Sequence, residues 1–439
     1  MSQTPTSTDQ HGPTVETGVA TGVGSGVGTG VGTGSGPVGL GVLPRPRSAE
    51  AARALRAARA GVRWLQESGI QSAGGGYHSW FDRDSRRYPF EYAEVTGYQV
   101  TLAAWLAARG DLALREVALG DAERAVQWLS TAVQPVPGAF RCLAPSADGE
   151  EAAGRFAGKA ARLYTFDAGI ILQGLVAHHV ATGSQDALRT ARDTGDGLLR
   201  HVDADGVVQP WPSTPEAGRW QDAAGDWSTR PGVHHAKIGI GLAALGDVTG
   251  EQRYTRAAVA VCEDALTRQL PSGRFVTHPA AGTTNIHPHC YAAEALWAVG
   301  TATGRGDLLE ASERATLWAL AATDGDGLPP RRYGDAPDGH VSVVRHPRLD
   351  GVAQVLRLAA LHSAHAGHAA RRLVTTLLAH QVDAPGEPRA HGGFAFGAGT
   401  DGTPLPHANV WVTAFAVQAL VLAAGERRGA AVLDWRHLV

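Results

Sequence analysis

Two patterns of hydrophobic and polar positions alternate along this chain. In the first, apolar residues recur at helical spacing and leave one face rich in Arg, Glu and Asp; residues 51–66, 114–129, 187–202, 253–270, 307–321 and 369–381 read this way. These stripes predict helices with one wet face. In the second, apolar residues cover nearly the whole circumference and a polar cluster opens the segment, as in 94–108, 166–181, 234–248, 287–300, 350–363 and 407–424. A helix apolar on all sides is buried on all sides. Six outer and six inner helices in strict alternation predict an all-α protein, an (α/α)6 barrel of six helical hairpins, ahead of an open α-solenoid. Nothing between them reads as a long strand run, which disfavours the α/β folds.

The links sharpen this picture. Those from an inner helix to the next outer one are short, as in 181–185 and 248–252. Those from an outer helix to the next inner one are long: 67–93, 130–165, 203–233, 271–286, 322–349 and 382–406. One rim therefore carries all the long loops and all the inner-helix N-termini, and long loops in a compact domain are where function concentrates. Residues 1–45, dominated by Gly, Thr, Val and Ser, bury too little to offset their chain entropy and are expected to be a disordered tail. The barrel domain is expected to span 46–439.

Composition excludes some functions. A formal net charge of −3 provides no basic field for nucleic acid. Cys142, Cys262 and Cys290 form no CxxC pair and no even framework, which suits a reducing cytoplasm. The first residues have neither a basic nor an apolar signal region, and no run of about 18 apolar residues exists to span a bilayer. A cytoplasmic location without a membrane span is the expectation. Of the 39 Lys plus Arg, only Lys159 and Lys237 are lysines, so a lysine here is worth reading for its chemistry.

Polar and ionisable residues recur in the first turns of the inner helices, where a buried helix should be apolar. As catalytic candidates these supply Glu94, Asp167, His235, His287, Asp350 and His407; as substrate-binding candidates, Tyr98, Lys237, Tyr291, Gln354, Asn409 and Trp411. Asp167 and Asp350 also suit the plainer role of helix caps. Six helix N-termini facing one cavity, with Arg162, Arg331, Arg332 and Arg345 in the loops, favour an anionic or polyhydroxylated ligand. Loop aromatics (Tyr77, Trp80, Phe81, Tyr88, Trp211, Trp220, Trp227, Tyr333 and Phe394) add faces on which a sugar could stack. No metal and no cofactor are expected: HExxH and CxxC spacings are missing, adjacent His234 and His235 point apart on a helix, and there is no Walker A loop.

At these helix starts the chain resembles bacterial α/α-toroid proteins of the VpsJ-like polysaccharide biosynthesis kind, whose helices open with patterns such as ETTGY, FDTGQ, HTRVAWALL and HTIAYT. The matching stretches are Glu94-Val-Thr-Gly-Tyr98, Phe166-Asp-Ala-Gly169, His235-Ala-Lys-Ile-Gly-Ile-Gly-Leu242 and His287-Pro-His-Cys-Tyr291, within residues 50–425. Two positions depart: Lys237 stands where the family has Arg, and Ile170 where it has Gln. The resemblance implies a carbohydrate-linked role and supplies no reaction. The resulting expectation is a carbohydrate-active enzyme of polysaccharide or glycosylated-metabolite biosynthesis, acting on an acidic or amino sugar, an oligosaccharide or a glycosylated metabolite by hydrolysis, elimination or epimerisation. Two alternatives stand beside it. One is a terpenoid cyclase or prenyltransferase, for which the glycine–aromatic run at 392–397 speaks and the missing DxDD motif does not. The other is a non-catalytic binding or scaffold protein.

Overall fold

The computed structural model describes residues 48–110, 112–145, 159–160, 162–209, 230–335, 341–362, 367–425 and 433–439. The expected tail at 1–45 and the loop residues Trp211, Trp220 and Trp227 lie outside the described residues. Twelve α-helices run through the described residues. Paired in chain order, outer then inner, they are α1 (Ala49–Glu67) and α2 (Ala93–Arg109), α3 (Leu112–Thr131) and α4 (Thr165–Thr182), α5 (Gln185–Leu199) and α6 (Ile238–Thr249). Then come α7 (Gln252–Leu266) and α8 (Ile286–Thr303), α9 (Gly306–Ala322) and α10 (Leu349–Leu361), α11 (His368–Ala379) and α12 (Val410–Ala424). The wet stripes of the outer helices face out and the inner helices are buried nearly all round.

Neighbouring inner helices touch in the order α2, α4, α6, α8, α10, α12, and α12 returns to α2. The ring is closed. A repeated contact closes the outer layer too. After α5, Gly206 (φ 80°) lies so near α7 that a Cβ on it would stand 2.1 Å from the Ala260 carbonyl oxygen. Only glycine has both the left-handed φ and the missing side chain that this approach needs. Gly75, Gly138, Gly273 and Gly327 meet the next outer helix in the same way. The sixth, Gly392 after α11, meets Ala60 of α1. Glutamines reinforce three of these joints: Gln71, Gln269 and Gln381 donate to the carbonyls of Asp121, Ala311 and Ala57. The run at 392–397 thus contains one of the six closure joints: Gly392 and Gly393 lie against Ala60 and Trp64 of α1, while Gly397 lies against the Pro347 carbonyl.

The long links carry short antiparallel strands. These are β1 (Trp80–Asp82), β2 (Phe90–Tyr92), β3 (Leu143–Pro145), β4 (Thr283–Asn285), β5 (Arg332–Asp335), β6 (Val341–Val344), β7 (Phe394–Ala398) and β8 (Pro404–Asn409). They form sheets ordered β1-β8-β7, β2-β3 and β4-β5-β6 at the loop-rich rim. Two starts differ from the sequence reading. His407 and Asn409 lie on β8, paired with Asp82 and Trp80 of β1, so α12 begins only at Val410. Asn409 caps it by accepting from the Val412 N–H at 3.1 Å. Likewise His234, His235 and Lys237 sit on a 3-10 turn (Val233–Lys237) ahead of α6.

Residues 433–439 enter the barrel axis. A 3-10 turn (Trp435–His437) packs against α2, α4, α6 and α8, with Leu438 and Val439 buried beyond it. Polar side chains from the inner helices grip its backbone. Gln173 donates to the carbonyls of Arg436 (3.0 Å) and Leu438 (2.8 Å), and Gln418 to that of His437 (2.7 Å). The axis is therefore filled below the rim.

Candidate active site

Two facing helices build the centre. On α8, His287 and Glu294 lie two turns apart on one face; on α10, Asp350, Gln354 and Arg357 follow each other at helical spacing. The two rows interleave. His287 Nδ1 stands 2.7 Å from Gln354 Oε1 and 3.3 Å from Asp350 Oδ2. Glu294 receives Lys237 Nζ at 2.9 Å, Gln354 Nε2 at 3.4 Å and the Arg357 guanidinium. Lys237 also donates to the Val439 oxygen at 3.2 Å, and Arg357 to Gln418 Oε1 at 3.2 Å. Lys237, Glu294, Gln354 and Arg357 are fully buried.

Charge is settled by competition in this row. Burial alone would raise the Glu294 pKa, but Arg357 and Lys237 outweigh it and hold it below the usual carboxylate range. Lys237 is lowered to about 8, chiefly by burial, because it shares its one carboxylate with Arg357. Asp350 is also held low: Arg348, at the N-cap of α10, and then His287 overcome its burial. Its oxygens accept from Arg348 (2.9, 3.1 and 2.9 Å), from the Gly351 N–H (2.8 Å) and from Trp411 Nε1 (3.3 Å). With that many donors, Asp350 anchors its neighbours. His287 is lowered to about 4 by burial, which Asp350 only partly offsets, so its imidazole is neutral at pH 7.

Glu94, in the first turn of α2, behaves in the opposite way. Protein surrounds it, yet part of its surface stays open to solvent. Burial raises its pKa to about 7, against hydrogen bonds from Tyr92 and Tyr98 and the charges of Lys159 and Arg348. A carboxyl that titrates near neutrality is suited to give or take a proton. Tyr98 and Tyr291 share a hydrogen bond of 2.8 Å, which carries the Glu94 side of the site towards His287, whose ring lies 4.2 Å from that of Tyr291. Asp167 is buried in the first turn of α4; burial raises the pKa of Tyr92 and of Cys142, and the charges of Asp167 and Glu94 add to the rise in both.

The β1-β8-β7 sheet supplies an aromatic wall. Trp80 stacks on His407 at 4.3 Å and meets Trp411 edge-on at 6.4 Å; Phe396 meets Trp411 at 5.9 Å. Trp411, His407 and Phe396 keep part of their surface open. Tyr77, Phe81 and Phe394, in contrast, are core residues.

The structure thus brings Glu94, Tyr98, His287, Tyr291, Asp350 and Trp411 into one cluster, with Gln354 and Lys237 behind it. His235 stands apart: its ring lies 4.0 Å behind that of His234, and Arg268 is its charged neighbour. Asn409 is buried as a cap, and Arg345 bonds the carbonyls of Leu328 and Ala322. Among the described residues no group of three His, Cys, Asp or Glu side chains is placed to hold a metal ion. Sequence reasoning passed over Tyr92, Glu294, Arg348 and Arg357. For Glu294 and Arg357 a signal existed, a charge inside an otherwise apolar run.

No protein-family model and no curated protein matches this sequence. Among solved structures, the chain is similar to the cellobiose 2-epimerase of Bacillus thermoamylovorans (10% identity, 83% of this chain and 98% of that one, TM-score 0.65). It is also similar to the unsaturated glucuronyl hydrolase of Bacillus sp. GL1 (15%, 84% and 96%, 0.58). A third likeness is to the type II terpene cyclase MstE of Scytonema (16%, 85% and 98%, 0.54). At such identities these likenesses establish the α/α toroid and leave the chemistry open.

Proposed function

We propose that this protein is a carbohydrate-processing enzyme that moves protons on an anionic sugar, by isomerisation or epimerisation next to a carbonyl. The observation that carries this reading is the pairing of unlike groups: a neutral, oriented His287 and a Glu94 carboxyl poised to titrate near pH 7. In an open-chain sugar, His287 takes the proton from the carbon beside the carbonyl. The C–H electron pair becomes a C=C bond, the carbonyl π pair moves to oxygen, and Glu94 supplies a proton to that oxygen. The change is completed when one hydroxyl of the enediol gives its proton to the Glu94 carboxylate and re-forms a carbonyl while the C=C pair takes up a proton. That proton goes to the former carbonyl carbon for isomerisation, or to the opposite face of the first carbon for epimerisation. Lys159 and Arg348, both acting on Glu94, and the inner-helix N-termini favour an acidic substrate. The aromatic wall of Trp80, Trp411 and Phe396 offers a face for the ring of the same sugar.

Of the reactions the sequence leaves open, hydrolysis is disfavoured because Asp350 is engaged by its donors. Hydrolysis keeps one supporting observation, a second carboxylate, Asp167, that acts on Tyr92 together with Glu94. The terpenoid alternative is opposed by an axis filled with residues 433–439 and a buried ion-pair row. A direct test is incubation of acidic reducing sugars in D2O, followed by NMR. Solvent deuterium should enter the carbon beside the carbonyl with wild-type protein and not with Glu94→Gln or His287→Asn. Release of new reducing ends from oligosaccharides with no deuterium uptake would replace this reading with hydrolysis.

A further inference from the structure

We propose that Gln354 is a positioning residue: gripped by the buried carboxylate of Glu294, it fixes His287 as the Nδ1–H tautomer and so makes Nε2 its basic nitrogen. The use of that nitrogen rests on the isomerase reading above; the tautomer itself does not.

Glu294 lies fully buried with Lys237 on one oxygen and Arg357 on the other. Two cations keep it ionised, and an ionised carboxylate only accepts hydrogen bonds. The end of Gln354 that faces it must therefore be the amide NH2, at 3.4 Å. This turns Oε1 towards α8, where it meets His287 Nδ1 at 2.7 Å. An amide oxygen also only accepts, so Nδ1 has to carry the hydrogen. Asp350 Oδ2, 3.3 Å from the same nitrogen, makes the same demand but is already shared with Arg348 and Trp411. Gln354 is the nearer partner.

The choice of an amide over a carboxylate matters for the chemistry. A carboxylate at that distance would favour imidazolium, while an amide oxygen orients the ring without adding charge. The base stays neutral, in keeping with its lowered pKa. Helical spacing makes the relay possible: Asp350, Gln354 and Arg357 form one row on α10, and His287 and Glu294 fit between them from α8.

The test uses the full chain labelled with 15N-histidine, in long-range 1H–15N spectra at pH 7, with the His287 signals identified by their loss in His287→Asn. The wild type should show His287 protonated at Nδ1 only. In Gln354→Met, of similar volume and without hydrogen bonds, that single pattern should give way to a mixture with Nε2–H. If the sugar reaction is present, kcat should fall roughly 10²-fold while KM holds. A wild-type His287 protonated at Nε2, or a Gln354→Met protein that keeps the wild-type pattern, overturns the proposal. The wild-type spectrum needs no variant to fold and no substrate. Tautomer control shown without any isomerisation therefore supports Gln354 while removing the isomerase reading.

Discussion

At the scale of single residues, function and stability pull against each other at Glu94. Its pKa in the folded protein is raised from 4.5 to about 7, so the folded state holds a proton that the unfolded chain releases. Stability therefore falls as pH rises from 4.5 to about 7 and stays lower above it. Glu94→Gln should remove that cost: a gain of roughly 2–3 kcal/mol at pH 8, discounted for solvent access, and none at pH 4, read by urea unfolding. The same change should abolish turnover. Residues of this kind were legible because they interrupt an expected pattern, as Glu94, His287 and Asp350 interrupt buried helix starts. What the sequence could not convey was which of them touch. Gln354 reads as a pocket residue on a helical wheel, yet it is fully buried and bonded to Glu294 of another helix.

At the scale of elements, the closure joints are where a single methyl group should be felt most. Gly206 and Gly183 have nearly the same φ, 80° and 79°, but an added Cβ meets the Ala260 carbonyl at the first and nothing within 4 Å at the second. Gly183→Ala should cost about 1 kcal/mol of backbone strain. Gly206→Ala should cost about 3 kcal/mol or more, since overpacking is added to strain. Thermal unfolding of the two variants side by side checks the difference. Helix number, order and inner or outer placement followed from hydrophobic periodicity, because burial is what that pattern records. The helix α12 starts three residues later than the pattern predicts because His407 and Asn409, which end strand β8, run straight into the helix and read as its polar first turn.

At the scale of the molecule, the proton-transfer reading predicts a bell-shaped profile for kcat/KM. Its acid limb should rise through about 4 as His287 loses its proton, and its alkaline limb should fall through about 7 as Glu94 ionises. Initial rates across pH measure it; a single limb would remove one of the two residues from the reaction. Closure of the ring, as against an open solenoid, was foreseeable only from the polar helix starts, since neither periodicity nor link length records that α12 returns to α2 and Gly392 to α1. That return has a cost in time. On the ribosome α1 is made first, but α12, which covers its buried side, is made more than three hundred positions later. Until then a nascent chain exposes an apolar edge at each end of an unfinished arc, the kind of surface that chaperones hold and that neighbouring chains exchange.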